Sequence, residues 1–127
     1  MFTKTKAFSG FSVDDLDKAR DFYGGTLGLN VTEDNGMPGL HIADGGDILV
    51  YPKTDHAPAS FTILNFPVAD IDRAVDELTE RGVALERYEG FEQDEKGIMR
   101  GQGPPIAWFK DPAGNVLSVI ESRSPSS

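Results

Sequence analysis

The sequence predicts an α+β fold made of two tandem βαβββ modules that share a cleft, and three observations carry that prediction. The stretch from Phe11 to Asp21, FSVDDLDKARD, returns from Phe66 to Asp76 as FPVADIDRAVD, with Phe11, Val13, Asp15, Asp17, Ala19 and Asp21 recurring at a constant spacing of 55 residues. In both copies an alternating apolar run passes through an Asp-rich joint into helical spacing. A second pair, GDILVY from Gly46 to Tyr51 and GNVLSV from Gly114 to Val119, recurs at a spacing of 68. One structural module used twice accounts for all three.

The elements follow in order. Phe11 and Val13 belong to a first strand, and the Asp joint after it suits a helix N-terminus, where carboxylates accept from free backbone N–H groups and favour the positive end of the dipole. Leu16, Ala19, Tyr23 and Leu27 then fall on one helical face, and Gly28 stops the helix. An extended run from Leu29 to Thr32 follows, and the turn Asp44-Gly45-Gly46 launches the strand Gly46–Tyr51. The second copy repeats this with Ile71, Ala74, Val75 and Leu78, a stop at Gly82, an extended run from Val83 to Arg87 and the turn Asp111-Pro112-Ala113-Gly114. The larger second spacing requires thirteen extra residues, most of them within Tyr88 to Pro105. The first module is expected over residues 1–57 and the second over 58–122, within one domain of 127 residues, with a disordered polar tail at 123–127.

Composition narrows the function. A net charge of −9 repels phosphate backbones and anionic lipids, so neither nucleic acid nor membrane is an expected partner. No apolar run reaches membrane-spanning length, and MFTKTKAFSGF breaks up before a secretory signal forms, so the expected location is cytoplasmic. The absence of cysteine excludes disulfides, thiolate metal sites and cysteine nucleophiles.

The doubled module, with FSVDDLDKARDFYGGTLGL opening the first half and FKDPAGNVLSVIE closing the second, resembles the vicinal oxygen chelate superfamily: glyoxalase I, extradiol dioxygenases, bleomycin-resistance proteins and related binders. The resemblance runs from about Lys6 to Glu121 and implies fold more than activity. It implies four metal-ligand positions in the cleft, which map onto Phe8 and Ile63 on the first strands and Val50 and Ser118 on the last. Phe, Ile and Val carry no donor atom, and one neutral hydroxyl cannot hold a divalent ion. No metal and no cofactor are therefore expected, unless the site is relocated or the alignment is off by two residues.

If those positions face the cleft, alternation places Lys6, Phe8, Gly10 and Ser12, then Phe61, Ile63 and Asn65, on its walls, with Ile48, Val50, Val116, Ser118 and Ile120 completing them. The expected ligand-binding residues are Phe8, Val50, Ile63, Asn65, Trp108 and Ser118: Phe8, Val50 and Ile63 for contact area, Asn65 and Ser118 for polar orientation, Trp108 for stacking. Burying about 200 Å² of apolar ligand would contribute roughly 5 kcal/mol before association costs. The bland readings are a cleft filled by core and a Trp108 that only packs. The segment from Tyr88 to Gly103, with Glu89, Glu92, Asp94 and Glu95, reads either as a lid or as a solvated hairpin. His41 and His56 read as surface residues, and a displaced metal site at either would need carboxylates from Asp47 or Glu89.

The resulting expectation is a metal-independent small-molecule binder taking an apolar or aromatic ligand. The alternatives are a glyoxalase- or dioxygenase-like enzyme with a relocated metal or acid–base residues from Glu89 to Glu95, and an interaction scaffold. A homodimer is compatible with open sheet edges.

Overall fold

The computed structural model describes residues 1–34, 36–42 and 46–122; of Asp34 only the backbone is described. The turn expected at Asp44-Gly45-Gly46 lies largely outside these residues, and the tail at 123–127 lies wholly outside. The chain divides into two compact units, Met1–Pro58 and Ala59–Ser127.

In the first unit, β1 (Ser9–Val13) leads into α1 (Leu16–Arg20), and β2 (Asn30–Asp34), β3 (Met37–His41) and β4 (Asp47–Pro52) complete a sheet in the order β1-β4-β3-β2. Asp15 caps α1 by accepting from the Lys18 N–H at 3.1 Å. The helix then widens into a π-helical stretch, Asp21–Thr26, in which Leu27 N–H reaches Phe22 C=O at 2.9 Å. Gly24 sits in that stretch, where a Cβ would approach Val31 Cγ2 to 3.3 Å, so the glycine permits close packing on β2. Gly28, at φ +73°, ends the helix where expected.

Register fixes which way the side chains point. Phe11 pairs with Val50 and Ser9 with Ile48, while Leu40 pairs with Ile48 across β3. Phe11 meets the buried Tyr23 ring at 5.7 Å between centroids, so this set faces the helix. Gly10, Ser12, Leu49, Tyr51 and Gly39 therefore lie on the opposite face.

In the second unit, β5 (Thr62–Val68), β6 (Ile106–Lys110) and β7 (Val116–Glu121) form a sheet in the order β5-β7-β6, covered by α2 (Ile71–Glu80). Asp70 caps α2 through the Arg73 N–H at 3.2 Å, in nearly the same backbone conformation as Asp15. Glu121 also reaches the helix start, accepting from Ile71 N–H at 3.1 Å. Leu64, Phe66, Phe109, Leu117, Val119 and Glu121 share that helix-facing side, and Ile71, Val75 and Leu78 pack from above. The run Val83 to Arg87, expected as a strand, contributes only a single bridge, Leu85 to Phe109, and one bond from Glu86 N–H to Trp108 C=O at 2.8 Å.

The two units also correct the spacing of the closing strands. Gly10 pairs with Leu49, and Asn65, its repeat partner, pairs with Ser118, so β4 and β7 correspond at the separation of Leu49 from Ser118, 69 residues rather than 68.

Candidate functional site

The second unit's sheet, on the face away from α2, brings three of the expected residues into one row. Asn65 on β5 pairs with Ser118 on β7, which pairs with Trp108 on β6. The Ser118 hydroxyl donates to Asn65 Oδ1 at 2.6 Å. Ser118 is fully buried and Asn65 is exposed, so the serine fixes the amide while the Asn65 N–H groups have no partner among the described residues. Ser118 thus positions the exposed Asn65 amide.

In the next row Pro67 and Ile120 border a cavity of about 710 Å³ lined also by Gly103, Pro104, Pro105, Glu121 and Ser122, and none of the expected ligand-binding residues lines it. Its walls are mostly apolar, and the Glu121 carboxylate turns to the helix side, where it accepts from Ile71 N–H.

Beyond Trp108 lies an aromatic cluster. Tyr88, Phe91 and Trp108 stand with ring centroids 5.4 to 5.8 Å apart, mostly tilted or edge to face. Trp108 is only 9 % exposed, so the expectation that its own ring offers a stacking surface is corrected: Tyr88 and Phe91 abut it, and Phe91, 46 % exposed, is the accessible ring. Burial raises the Tyr88 phenol above its usual range, with the Glu86 charge adding to the effect. Tyr88 and Phe91 were the residues missed from sequence; their signal was two aromatics three apart inside the inserted segment.

That segment is strapped down. Gln93 accepts from Tyr88 N–H at 2.8 Å and donates to Glu86 and Gly97 carbonyls at 2.9 and 2.8 Å. Asp94 accepts from the Lys96 and Ile98 N–H groups, and Ile98 is fully buried. Lys96 bonds to Asp72 and Asp76 on α2, and Arg100 to Asp72 and Asp94. Bridges from Gln93 to Met99 and from Met99 to Ile106 join it to the sheet. This matches neither a free lid nor a simple solvated hairpin.

The remaining expected residues behave differently. Val50 is fully buried and, with Ile48, points to the helix side, because the one-residue difference in spacing reverses the face of every β4 side chain. Leu49 takes the position opposite Gly10 that Val50 was expected to hold. Ile63 is the extra residue of a bulge between Thr62 and Leu64, half-buried and outside the register. Phe8 lies just before β1 and is 68 % exposed, as Phe61 is, at 69 %, before β5.

Both histidines have partners. His41 contacts Asp47 through Nδ1 and Thr32 Oγ1 through Nε2 at 3.1 Å, while His56 Nδ1 meets Ser12 Oγ at 2.6 Å. Asp47 thus converges on His41, but among the described residues no group of three His, Asp or Glu side chains is arranged to hold a metal ion.

A profile of the Glyoxalase/Bleomycin resistance protein/Dioxygenase superfamily matches residues 8–119. The chain belongs to this superfamily. Among solved structures of the same fold, a superfamily member from Sphaerobacter thermophilus DSM 20745 is 25 % identical, with 96 % of this chain and 100 % of that chain covered and a TM-score of 0.68. TnmS3, an antibiotic binding protein from Streptomyces sp. CB03234, is 23 % identical over 95 % and 98 % of the two chains, with a TM-score of 0.69. A hypothetical protein, SA1046, from S. aureus is 20 % identical over 94 % and 99 %, with a TM-score of 0.70. No curated protein matches the chain.

The superfamily's metal chemistry meets a poor donor set here. Phe8, Ile63 and either Val50 or Leu49 offer no donor atom, and the Ser118 hydroxyl is already bonded to Asn65. These residues do not fit the ion. No helix among the described residues is long and apolar enough to cross a membrane.

Proposed function

We propose that this member of the superfamily binds an apolar or aromatic small molecule, without a metal, on the face of the second unit's sheet that turns away from α2. The observation that carries this reading is the row of Asn65, Ser118 and Trp108, in which the Ser118 hydroxyl holds Asn65 Oδ1 and leaves the side-chain N–H groups of Asn65 without a partner among the described residues. An aromatic ledge ending in Phe91 covers Trp108, and an apolar cavity borders Pro67 and Ile120 in the next row. Asn65 supplies direction, Pro67 and Ile120 supply contact area, and Phe91 supplies a stacking surface. The donor-poor residues at the superfamily's ligand positions support metal independence. The same fold serves TnmS3, an antibiotic binding protein, which fits a binding role.

The reading includes a cytoplasmic homodimer. In their own sheets β1 and β5 are edge strands, and each is preceded by an exposed phenylalanine, Phe8 or Phe61, so both edges invite pairing. Native mass spectrometry of the purified protein tests the whole reading. The expected spectrum is a dimer without stoichiometric metal that gains one small aromatic ligand per chain. Retention of one nickel, zinc, manganese or iron per chain would favour the enzyme alternative instead.

A further inference from the structure

Ser12 and His56 meet in the first unit although 44 positions separate them: the Ser12 hydroxyl oxygen lies 2.6 Å from His56 Nδ1. Backbone bonds fix both ends of this contact. Ser12 is held in β1 by its pairing with Tyr51 on β4, Lys53 N–H donates to Val13 C=O at 3.0 Å just past that strand, and His56 N–H donates to Lys53 C=O at 3.1 Å. The turn from Lys53 to His56 thus brings the imidazole back to β1. Both residues are half-buried, so the pair is shielded from bulk water yet within reach of a small reagent. Tyr51 leans over Gly10, where a Cβ would lie 3.6 Å from its ring, and at 37 % exposed it offers an aromatic surface on the same face as the hydroxyl. The matching residue of the second unit is Pro67, so the hydroxyl belongs to the first unit alone.

We propose that Ser12 is a nucleophilic serine with His56 as its general base, and that the pair transfers the acyl group of small aryl esters to water. A serine hydroxyl is a weak nucleophile until a base in hydrogen-bond contact takes its proton. With the ring proton on Nε2, His56 Nδ1 accepts from the Ser12 hydroxyl and stands where that proton must go. Ser12 Oγ bonds to the ester carbonyl carbon as its proton passes to Nδ1; the bond from that carbon to the aryl oxygen breaks, and the departing phenolate takes the proton. Water then attacks the acyl-serine, giving a proton to Nδ1, and the bond to Ser12 Oγ breaks as the hydroxyl recovers it. Phenol and carboxylic acid are the products. The activity is independent of the binding reading, whose residues lie in the second unit.

The test treats the folded full chain with an alkyl fluorophosphonate, from which the same attack expels fluoride and leaves a stable adduct, and follows it by intact mass and peptide mapping. One adduct per chain is expected, on Ser12. Ser12→Ala abolishes it, the control Ser9→Ala on the same strand leaves it unchanged, and His56→Gln, which keeps a hydrogen-bonding side chain but cannot take the proton, slows it by about 100-fold without shifting the thermal midpoint. Release of p-nitrophenol from p-nitrophenyl acetate falls in the same variants. An unlabelled wild-type Ser12, adducts spread over several serines, or labelling as fast in His56→Gln as in wild type overturns the inference and leaves the binding site of the second unit untouched.

Discussion

Across the first unit's sheet, the row on the face away from the helix reads Gly10, Leu49, Gly39; across the second it reads Asn65, Ser118, Trp108. The positions correspond by the internal repeat, yet one row is stripped to glycine and leucine while its twin carries an amide, a hydroxyl and an indole. In the first unit the missing side chains let neighbours close in: a Cβ on Gly10 would meet the Leu49 carbonyl at 3.3 Å, and one on Gly39 would meet Thr32 Oγ1 at 3.2 Å. In the second unit Ser118 fixes Asn65, and Trp108 anchors Tyr88 and Phe91. A duplicated scaffold has kept its backbone pairing and concentrated the polar and aromatic side chains of this row in one copy.

The same asymmetry appears at the helix starts. Both helices carry an Asp cap, but α2 receives a second acceptor from Glu121, where the matching end of β4 is Pro52. Only the second unit carries the long segment, clasped to α2 by Lys96 and Arg100.

The largest expected effect tests whether Trp108 is the anchor of the richer row. Trp108→Ala should lower stability by about 3 to 5 kcal/mol in chemical denaturation and abolish aromatic ligand binding, whereas Leu49→Ala in the poorer row should leave binding unchanged. A smaller effect tests the extra acceptor on α2. Glu121→Ala should cost about 1.5 kcal/mol, because a charge-assisted bond to the helix start is lost. Pro52→Ala at the matching position should have almost no consequence.

The smallest effect concerns the clasp. A hydrogen bond from Arg100 holds the Asp72 carboxyl below the usual range, partial burial opposes this, and Lys96 adds to it. A depressed folded pKa means that this stabilisation is fully present above the unfolded carboxylate range, about pH 4, and is lost as pH falls through the lower folded value. The difference in thermal midpoint between wild type and Arg100→Met should therefore stay constant from neutral pH down to about pH 5 and shrink below pH 4. A gap that widens in acid would show that Arg100 acts by packing instead.

Much of this fold was legible because its signals are local. Asp15 and Asp70 announce helix starts through short-range caps, and Gly28 and Gly82 announce the ends through positive φ. The constant spacing of 55 located β5 from β1. The spacing of 68 misled because it was anchored on the turn glycines Gly46 and Gly114, whereas ILVY and LSVI are so uniformly apolar that a shift of one residue still looks like a match. In a strand such a shift reverses the faces, which is why Val50 belongs to the core and Leu49 to the site-equivalent row. Asn65 and Ser118 pair across β5 and β7 as the spacing of Asn65 from Gly10 and the cleft-facing alternation led one to expect. Phe91 covering Trp108, and Arg100 reaching back 28 positions to Asp72, depend on tertiary placement that no local pattern encodes.

Trp108 is the sole tryptophan, so its emission reports directly on the face of the second unit's sheet that turns away from α2. Titrating neutral acridine at mildly alkaline pH into protein treated with EDTA, and into protein supplied with nickel or zinc, should give the same saturable quench of that emission with one site per chain of about micromolar affinity. A quench that appears only when metal is restored would contradict the account.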